Sequence, residues 1–482
     1  MFDFRPILLV IGILLSTLGC AMMVPAIIDL ANSNPDWRIF AASSLLTIMV
    51  GVSLWVSSTG ATTRLTLRHA FVMTVLSWVS LAAFGALPIL WSGIVPSYAD
   101  AFFESMSGLT TTGATVITGL DYAPPGLLFW RALLQWLGGL GIIVMAIAVL
   151  PMLQIGGMQL FKAEAFDAPE KILPRATQIS GIMTLIFIAL TAFCAVLYRL
   201  AGMTMTDAIM HAMTTVATGG FSSKDLSIGY FDSAAIDAIA IVFMCIGSLP
   251  FLLYIKVLQG QPLSLFKDDQ VKMFFALIAF FTLVIWIYQI VSGIRTGSEG
   301  LRYAAFNVVS IMTGTGYANA DYNGWGPFAA GLFFIIMFIG GCAGSTSCGI
   351  KVFRIQVLIA TIRQHANRIV YPNGMFVSRF NDRPIPDSVS AAVMSFFFLY
   401  LVSFAVLAIL LNLTGLEELT ALSGAATAIS NVGPGLGEII GPTGNFAPLN
   451  DTALWLLSFG MLLGRLEFFT VLVLFVPAFW RH

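Results

Sequence analysis

Charge is scarce in this sequence. Of 482 residues only 10% are Asp, Glu, Lys or Arg, against 58% hydrophobic, and the mean hydropathy is +0.91. Such a chain falls outside soluble globular composition and belongs in a bilayer. The formal net charge is −1 with no basic domain, which argues against a nucleic-acid partner. Cysteine is equally sparse. Cys20, Cys194, Cys245, Cys342 and Cys348 lie in or beside apolar stretches with no C-x-x-C, and they read as small packing residues rather than a disulfide framework or a metal site. Neither H-E-x-x-H nor G-x-S-x-G occurs, so an intramembrane enzyme would have no metal constellation and no activated nucleophile. No span carries arginine at every third position, as a voltage sensor would. The N-terminal apolar run, residues 6–26, is longer than a signal-peptide core and has no clean small-residue cleavage site, so a retained span is expected.

Glycine, by contrast, is plentiful at 44 residues, and part of it recurs. The segment Ser107-Gly-Leu-Thr-Thr-Thr-Gly-Ala114 returns in degenerate form at 213–221 (MTTVATGGF), 310–317 (SIMTGTGY) and 427–435 (TAISNVGPG). Aligned on one glycine, the columns are Thr112-Gly113, Thr218-Gly219, Thr315-Gly316 and Val432-Gly433. Any single Thr-Gly is an ordinary turn dipeptide. Four in register within similar flanks suggest four loops around one axis.

Around these loops the chain repeats a unit: span, short re-entrant segment, glycine loop, returning span. Two spans, 6–30 and 39–57, come first and carry no such loop. The units then have outgoing spans at 70–91, 177–200, 271–292 and 388–413. Their re-entrant segments are 97–107, 206–213, 301–311 and 418–428, each too short to cross a bilayer. The returns are 127–150, 233–258, an interrupted one from Pro327, and 452–480. The reading is an all-α polytopic membrane protein of ten spans and four half-helices, pseudo-fourfold about a central pore and potassium-channel-like. Its divisions fall at 1–58, 59–153, 154–260, 261–365 and 366–482. With a cytoplasmic N-terminus, sixteen of the 23 Lys and Arg fall inside, six outside and Arg465 within a span, so the positive-inside rule orients the chain. The outward side then collects acids, Asp100, Glu104, Asp121, Asp207, Asp225, Asp232, Asp237, Asp321, Glu417, Glu418, Glu438 and Asp451, expected to concentrate cations there.

A loop that turns consecutive carbonyls onto a dehydrated cation must leave ordinary φ/ψ space, which glycine does without steric cost. Each half-helix would aim its C-terminal end at its loop, adding partial negative charge near mid-membrane. The ion-binding positions are therefore Thr110, Thr111, Thr112 and Gly113; Val216, Ala217, Thr218 and Gly219; Thr313, Gly314, Thr315 and Gly316; and Ser430, Asn431, Val432 and Gly433. No carboxylate sits in these loops, which favours a monovalent cation over calcium. The third return breaks at Gly340-Gly341-Cys-Ala-Gly344-Ser345-Thr346-Ser347-Cys-Gly349, backbone that must line a cavity. The other repeats have a glycine site at similar depth: Gly138-Gly139, Gly247-Ser248 and Gly464-Arg465. A charge inside a span is costly unless it faces a path or a partner. The segment 340–349 is thus expected to cross the path as a gate, with Arg465 bonding its carbonyls and repelling cations.

These loops, the interrupted return and the stretch GRLEFF at 464–469 together resemble the Trk/Ktr/HKT superfamily of potassium transporters, specifically the TrkH-type membrane subunit. The resemblance covers the whole chain, including the two extra N-terminal spans that KtrB-type members lack. It implies potassium uptake across a bacterial inner membrane, with K+ the transported ion held at Thr111, Thr112, Ala217, Thr218, Gly314, Thr315, Asn431 and Val432. It also implies a homodimer and a TrkA-type cytosolic regulatory subunit of nucleotide-binding domains. Residues 162–175 and 351–383 are long enough to dock such a partner. In plant relatives a serine for the first filter glycine accompanies sodium transport, and here Gly113 is present. The loops depart from the potassium-channel TVGYG in every copy, so selectivity over sodium is expected to be looser. A proton- or sodium-coupled symporter of the same fold is the alternative. His211 is the histidine of the pore region that could serve it.

Overall fold

The computed structural model describes residues 2–60, 66–148, 172–381 and 383–481. Among the described residues seven helices are long and apolar enough to cross a bilayer: Arg5–Ala31, Trp37–Ser57, Leu67–Trp91, Pro125–Met145, Gln178–Leu200, Asp269–Val291 and Asp387–Leu413. Two bent pairs bring the number to nine. Ala234–Gly247 and Phe251–Leu258 meet at 92°, and Asp451–Arg465 and Phe468–Phe475 at 115°. The unbroken returns expected at 233–258 and 452–480 are therefore corrected to bent ones. At the first bend Pro250 has no N–H to continue the ladder. The freed carbonyls of Gly247 and Ser248 accept instead from the amides of Thr346 (3.1 Å) and Cys342 (3.0 Å). At the second bend Glu467 is held at φ 63°, unusual for a residue with a Cβ, and its carboxylate is pinned 2.6 Å from Nη2 of Arg354. The third return is helical only over Pro327–Ile336. Among the described residues the departures from all-helical structure are the two-residue antiparallel pair Arg379–Phe380 with Arg383–Pro384 and a parallel bridge between Ile339 and Ile350.

The first two helices pack through small residues. A methyl on Gly12 would lie 2.6 Å from the carbonyl oxygen of Gly51, and Ser44 Oγ donates to the carbonyl of Gly19 at 2.7 Å. Buried Asp29 then ties this pair to the first return span by accepting from the Gly126 amide at 2.7 Å, where its charge meets the positive end of that helix.

Four short helices enter this bundle: Tyr98–Leu109, Met205–Val216, Gly297–Met312 and Glu418–Ser430. Ser97 and Thr204 cap the first two by accepting from the amides of Asp100 and Asp207. Each of the four has a carboxylate in its first turn, Asp100, Asp207, Glu299 or Glu418, opposite the helix dipole. This corrects the expected acidic field for four of its twelve members, the other eight being exposed. Asp100, Glu104, Asp207 and Asp237 are buried and bonded within the protein.

Candidate functional site

The register of the four loops is readable from their main chain. The carbonyls of Ser107, Thr214, Ser310 and Thr427 accept from the amides five residues on, Thr112 (2.9 Å), Gly219 (2.8 Å), Thr315 (2.9 Å) and Val432 (3.1 Å). One residue before these amides the backbone is left-handed at Thr111 (φ 52°), Thr218 (49°), Gly314 (73°) and Asn431 (52°). One residue after them it is left-handed again at Gly113 (88°), Gly220 (79°), Gly316 (78°) and Gly433 (110°). The second repeat is thus shifted by one from the sequence alignment. Gly220, not Gly219, stands with Gly113, Gly316 and Gly433. Val216 ends its half-helix, and the matching set in that loop is Ala217, Thr218, Gly219 and Gly220. Two consecutive glycines had left the choice open, and Gly219 owes its lack of a side chain to a neighbour. A methyl there would collide with Gln135, which donates to the Gly219 carbonyl at 2.5 Å and accepts from the Phe221 amide at 3.0 Å.

The loops close on one another. A methyl on Gly113 would run into the carbonyl oxygen of Gly219, one on Gly220 into that of Thr315, and one on Gly316 into that of Val432. A methyl on Gly433 would come within 2.8 Å of the carbonyl of Thr112, which returns the contact to the first loop. All four of these glycines line one cavity of about 70 Å3. The threonine hydroxyls are engaged with each other and with neighbours rather than left free. Thr110 and Thr112 share a bond of 2.7 Å, Thr313 and Thr315 one of 2.8 Å, and Asn431 Nδ2 donates to Thr112 Oγ1 at 2.9 Å. Among the described residues no cluster of three or more His, Cys, Asp or Glu is placed to hold a metal ion. The donors at this site are carbonyl and hydroxyl oxygens, suited to a weakly held monovalent cation.

The glycine column on the return spans has its own cause. Gly138, Gly247 and Gly464 lie against carbonyls at the C-terminal ends of their half-helices, those of Leu109, Val216 and Ile429, closer than any side chain would permit. The third return forms no such contact and opens into the segment 340–349. Its neck is closed by Gly340 N to Ile350 O (2.9 Å) and Ile350 N to Phe338 O (3.0 Å). Beyond the neck it lies against the inner ends of the loops. Ser347 Oγ donates to Thr313 O at 2.6 Å, Thr346 Oγ1 bonds Val216 O (3.2 Å), Gly247 O (2.8 Å) and Thr218 Oγ1 (3.1 Å), and Cys348 Sγ is 3.6 Å from Thr111 Oγ1. Gly344 and Gly349 take left-handed φ within it, at 71° and 72°, and Ser345 Oγ closes a turn on Cys342 O at 2.6 Å. Gly341 packs against Ser347 and Ser248.

Arg465, 4% exposed, donates from Nη1 to Thr346 O at 3.1 Å and contacts Cys348 Sγ, while its Nε and Nη2 find no acceptor among the described residues. Glu467 does not pair with it and is bound to Arg354 instead. Sequence reasoning missed the roles of four residues: Lys351, whose ammonium bonds the Ser347 carbonyl, Gln135 behind the second loop, and the buried pair Arg131 and Glu104. Arginine inside an apolar span was the available signal for the last.

Half-helices that end on a closed ring of oxygen-rich loops, inside a bundle of spanning helices, define a polytopic membrane transport protein rather than an enzyme. A family model described as "TrkH: Cation transport protein" matches residues 38–482, and the chain belongs to that family. It is 43% identical to the Trk system potassium uptake protein TrkI of Halomonas elongata, over 99% of this chain and 97% of that one. It is 38% identical to TrkH of Escherichia coli K12, over 99% and 100%. The crystal structure of the potassium transporter TrkH from Vibrio parahaemolyticus superposes with a TM-score of 0.92 at 37% identity, covering 100% of both chains.

Proposed function

We propose that the chain mediates potassium uptake across a bacterial inner membrane, through a filter built from the four loops at Thr110–Gly113, 217–220, 313–316 and 430–433. The observation that carries this reading is the closed cycle of loop contacts, with Gly113, Gly220, Gly316 and Gly433 facing one cavity. The names of the relatives supply the ion. The repeats then stand pseudo-fourfold about the path, with the N-terminus cytoplasmic. The segment 340–349 is the gate beneath the filter, held shut in part by Arg465. His211 supports the uncoupled reading over the symporter. Both ring nitrogens are engaged, Nδ1 with Asp207 O at 2.8 Å and Nε2 with Ser222 Oγ at 2.9 Å, so the ring acts as a tie behind the second loop.

A homodimer regulated by a TrkA-type cytosolic subunit completes the proposal. Residues 162–171 of the expected docking surface lie outside the described residues. The helix Val352–Val370 presents Arg363 and Arg368 to solvent, and charge reversal at both tests the docking by loss of pull-down with normal membrane insertion. Tracer rubidium uptake into proteoliposomes, with potassium and proton gradients imposed separately, tests transport itself. Uptake that follows only the proton gradient would favour the symporter.

A further inference from the structure

In the register set by the main chain, one position lies three residues before each of Ser107, Thr214, Ser310 and Thr427. It is held by Glu104, His211, Asn307 and Gly424. The first three bond to the chain just beyond their own loops. Glu104 accepts from the Val116 amide (2.9 Å) and Thr115 Oγ1 (3.0 Å), His211 meets Ser222, and Asn307 Nδ2 donates to Asn319 Oδ1 at 2.7 Å. Of these only Glu104 is a carboxylate, and it has a charged partner from another helix. Arg131 Nε lies 2.7 Å from Glu104 Oε1, with side chains 2% and 0% exposed.

The guanidinium continues to the second loop. Nη1 donates to the Ser222 carbonyl at 2.9 Å, Nη2 to Thr115 Oγ1 at 3.1 Å, and Cζ lies over the Phe221 ring, 4.1 Å from its centroid. Arg131 also lines the outer cavity that Gly113, Gly220, Gly316 and Gly433 share, so an entering ion meets its field. The other charges on that wall are Lys224, 3.8 Å from Asp121, and Asp225, which accepts from the Leu120 amide. An unbalanced guanidinium at this rim would repel cations, and an unbalanced carboxylate would gather them.

We propose that Glu104 and Arg131 form a charge-balanced brace that fixes the first and second loops relative to each other and keeps the outer mouth near neutrality. The proposal rests on the filter reading above. Rubidium uptake by the full-length protein in proteoliposomes at low ionic strength separates an electrostatic brace from a plain tie. Glu104→Gln leaves the guanidinium alone and raises the half-saturating concentration roughly threefold to tenfold, and Arg131→Gln leaves the carboxylate and lowers it by a similar factor. The double variant returns it toward the parent value, and added salt shrinks both shifts.

Shifts of the same sign, or changes in maximal rate alone, overturn the neutrality role. Where a charged variant fails to fold, Thr115→Val removes a hydroxyl from the brace without changing charge. It should loosen rubidium preference over sodium at constant half-saturation, and unchanged competition overturns the bracing role. Gly220→Ser is the control on the filter itself. If it leaves competition unchanged, the filter reading fails. If it shifts competition while the pair lacks opposite signs, the brace alone fails.

Discussion

Adjacent glycines in the second loop have different jobs, and replacing each by alanine separates them. At Gly220, φ is 79° and the added methyl would strike the Thr315 carbonyl, which belongs to the backbone and has no rotamer to escape into. Left-handed backbone costs about 1–2 kcal/mol for a residue with a Cβ, and overpacking typically adds about 1–3 kcal/mol. The collision acts directly on an oxygen assigned to the filter. If about 1.4 kcal/mol of that cost differs between the two bound ions, preference changes about tenfold. At Gly219 the backbone is not left-handed, and the methyl meets the end of the Gln135 side chain, with Nε2 at 2.9 Å. Gln135 can rotate away, giving up its bonds to Gly219 O and Phe221 N at about 1–3 kcal/mol in stability. Rubidium uptake with sodium as competitor, paired with thermal unfolding in detergent, reads both effects. Gly220→Ala should lose about tenfold in ion preference. Gly219→Ala should lower the unfolding midpoint and keep its preference within about threefold. Greater loss of preference at Gly219 would refute the register shift.

Three further outcomes concern the segment 340–349 and the residues around it. Arg465→Ala removes the donor to Thr346 O and an uncompensated charge, and should raise basal rubidium flux about tenfold without a regulator; flux that falls in well-folded protein would reduce Arg465 to a structural tie. Thr346→Val keeps the shape of the side chain and removes its bonds to Val216 O and Gly247 O, at about 1–3 kcal/mol, so the segment 340–349 should become more accessible to a thiol reagent at Cys348. Arg354→Met strands the buried carboxylate of Glu467 at the second bend. It should destabilise by about 3–5 kcal/mol in thermal unfolding, with partial recovery when Glu467→Gln is added.

The sequence by itself determined the class of protein, and it set out the recurrence of the glycine loop and the neighbourhood of the candidate site. Those properties are carried by composition, by apolar length and by the requirement for glycine at positive φ, all of which are local. The half-helices were legible because helices of 12 to 16 residues cannot span, and Ser97-x-x-Asp100 and Thr204-x-x-Asp207 carry the capping signal for the first two. Tertiary structure decided what local chemistry leaves degenerate. Gly219 and Gly220 are indistinguishable until Gln135 occupies the space beside one and Thr315 the space beside the other. The bend at Pro250 holds because carbonyls freed there find amides about a hundred residues away, in the segment 340–349. Of the acids expected to form an outward field, Glu104 is drawn inward by Arg131 and Asp237 by Asn319, because a buried carboxylate is stable only where partners from distant segments meet it.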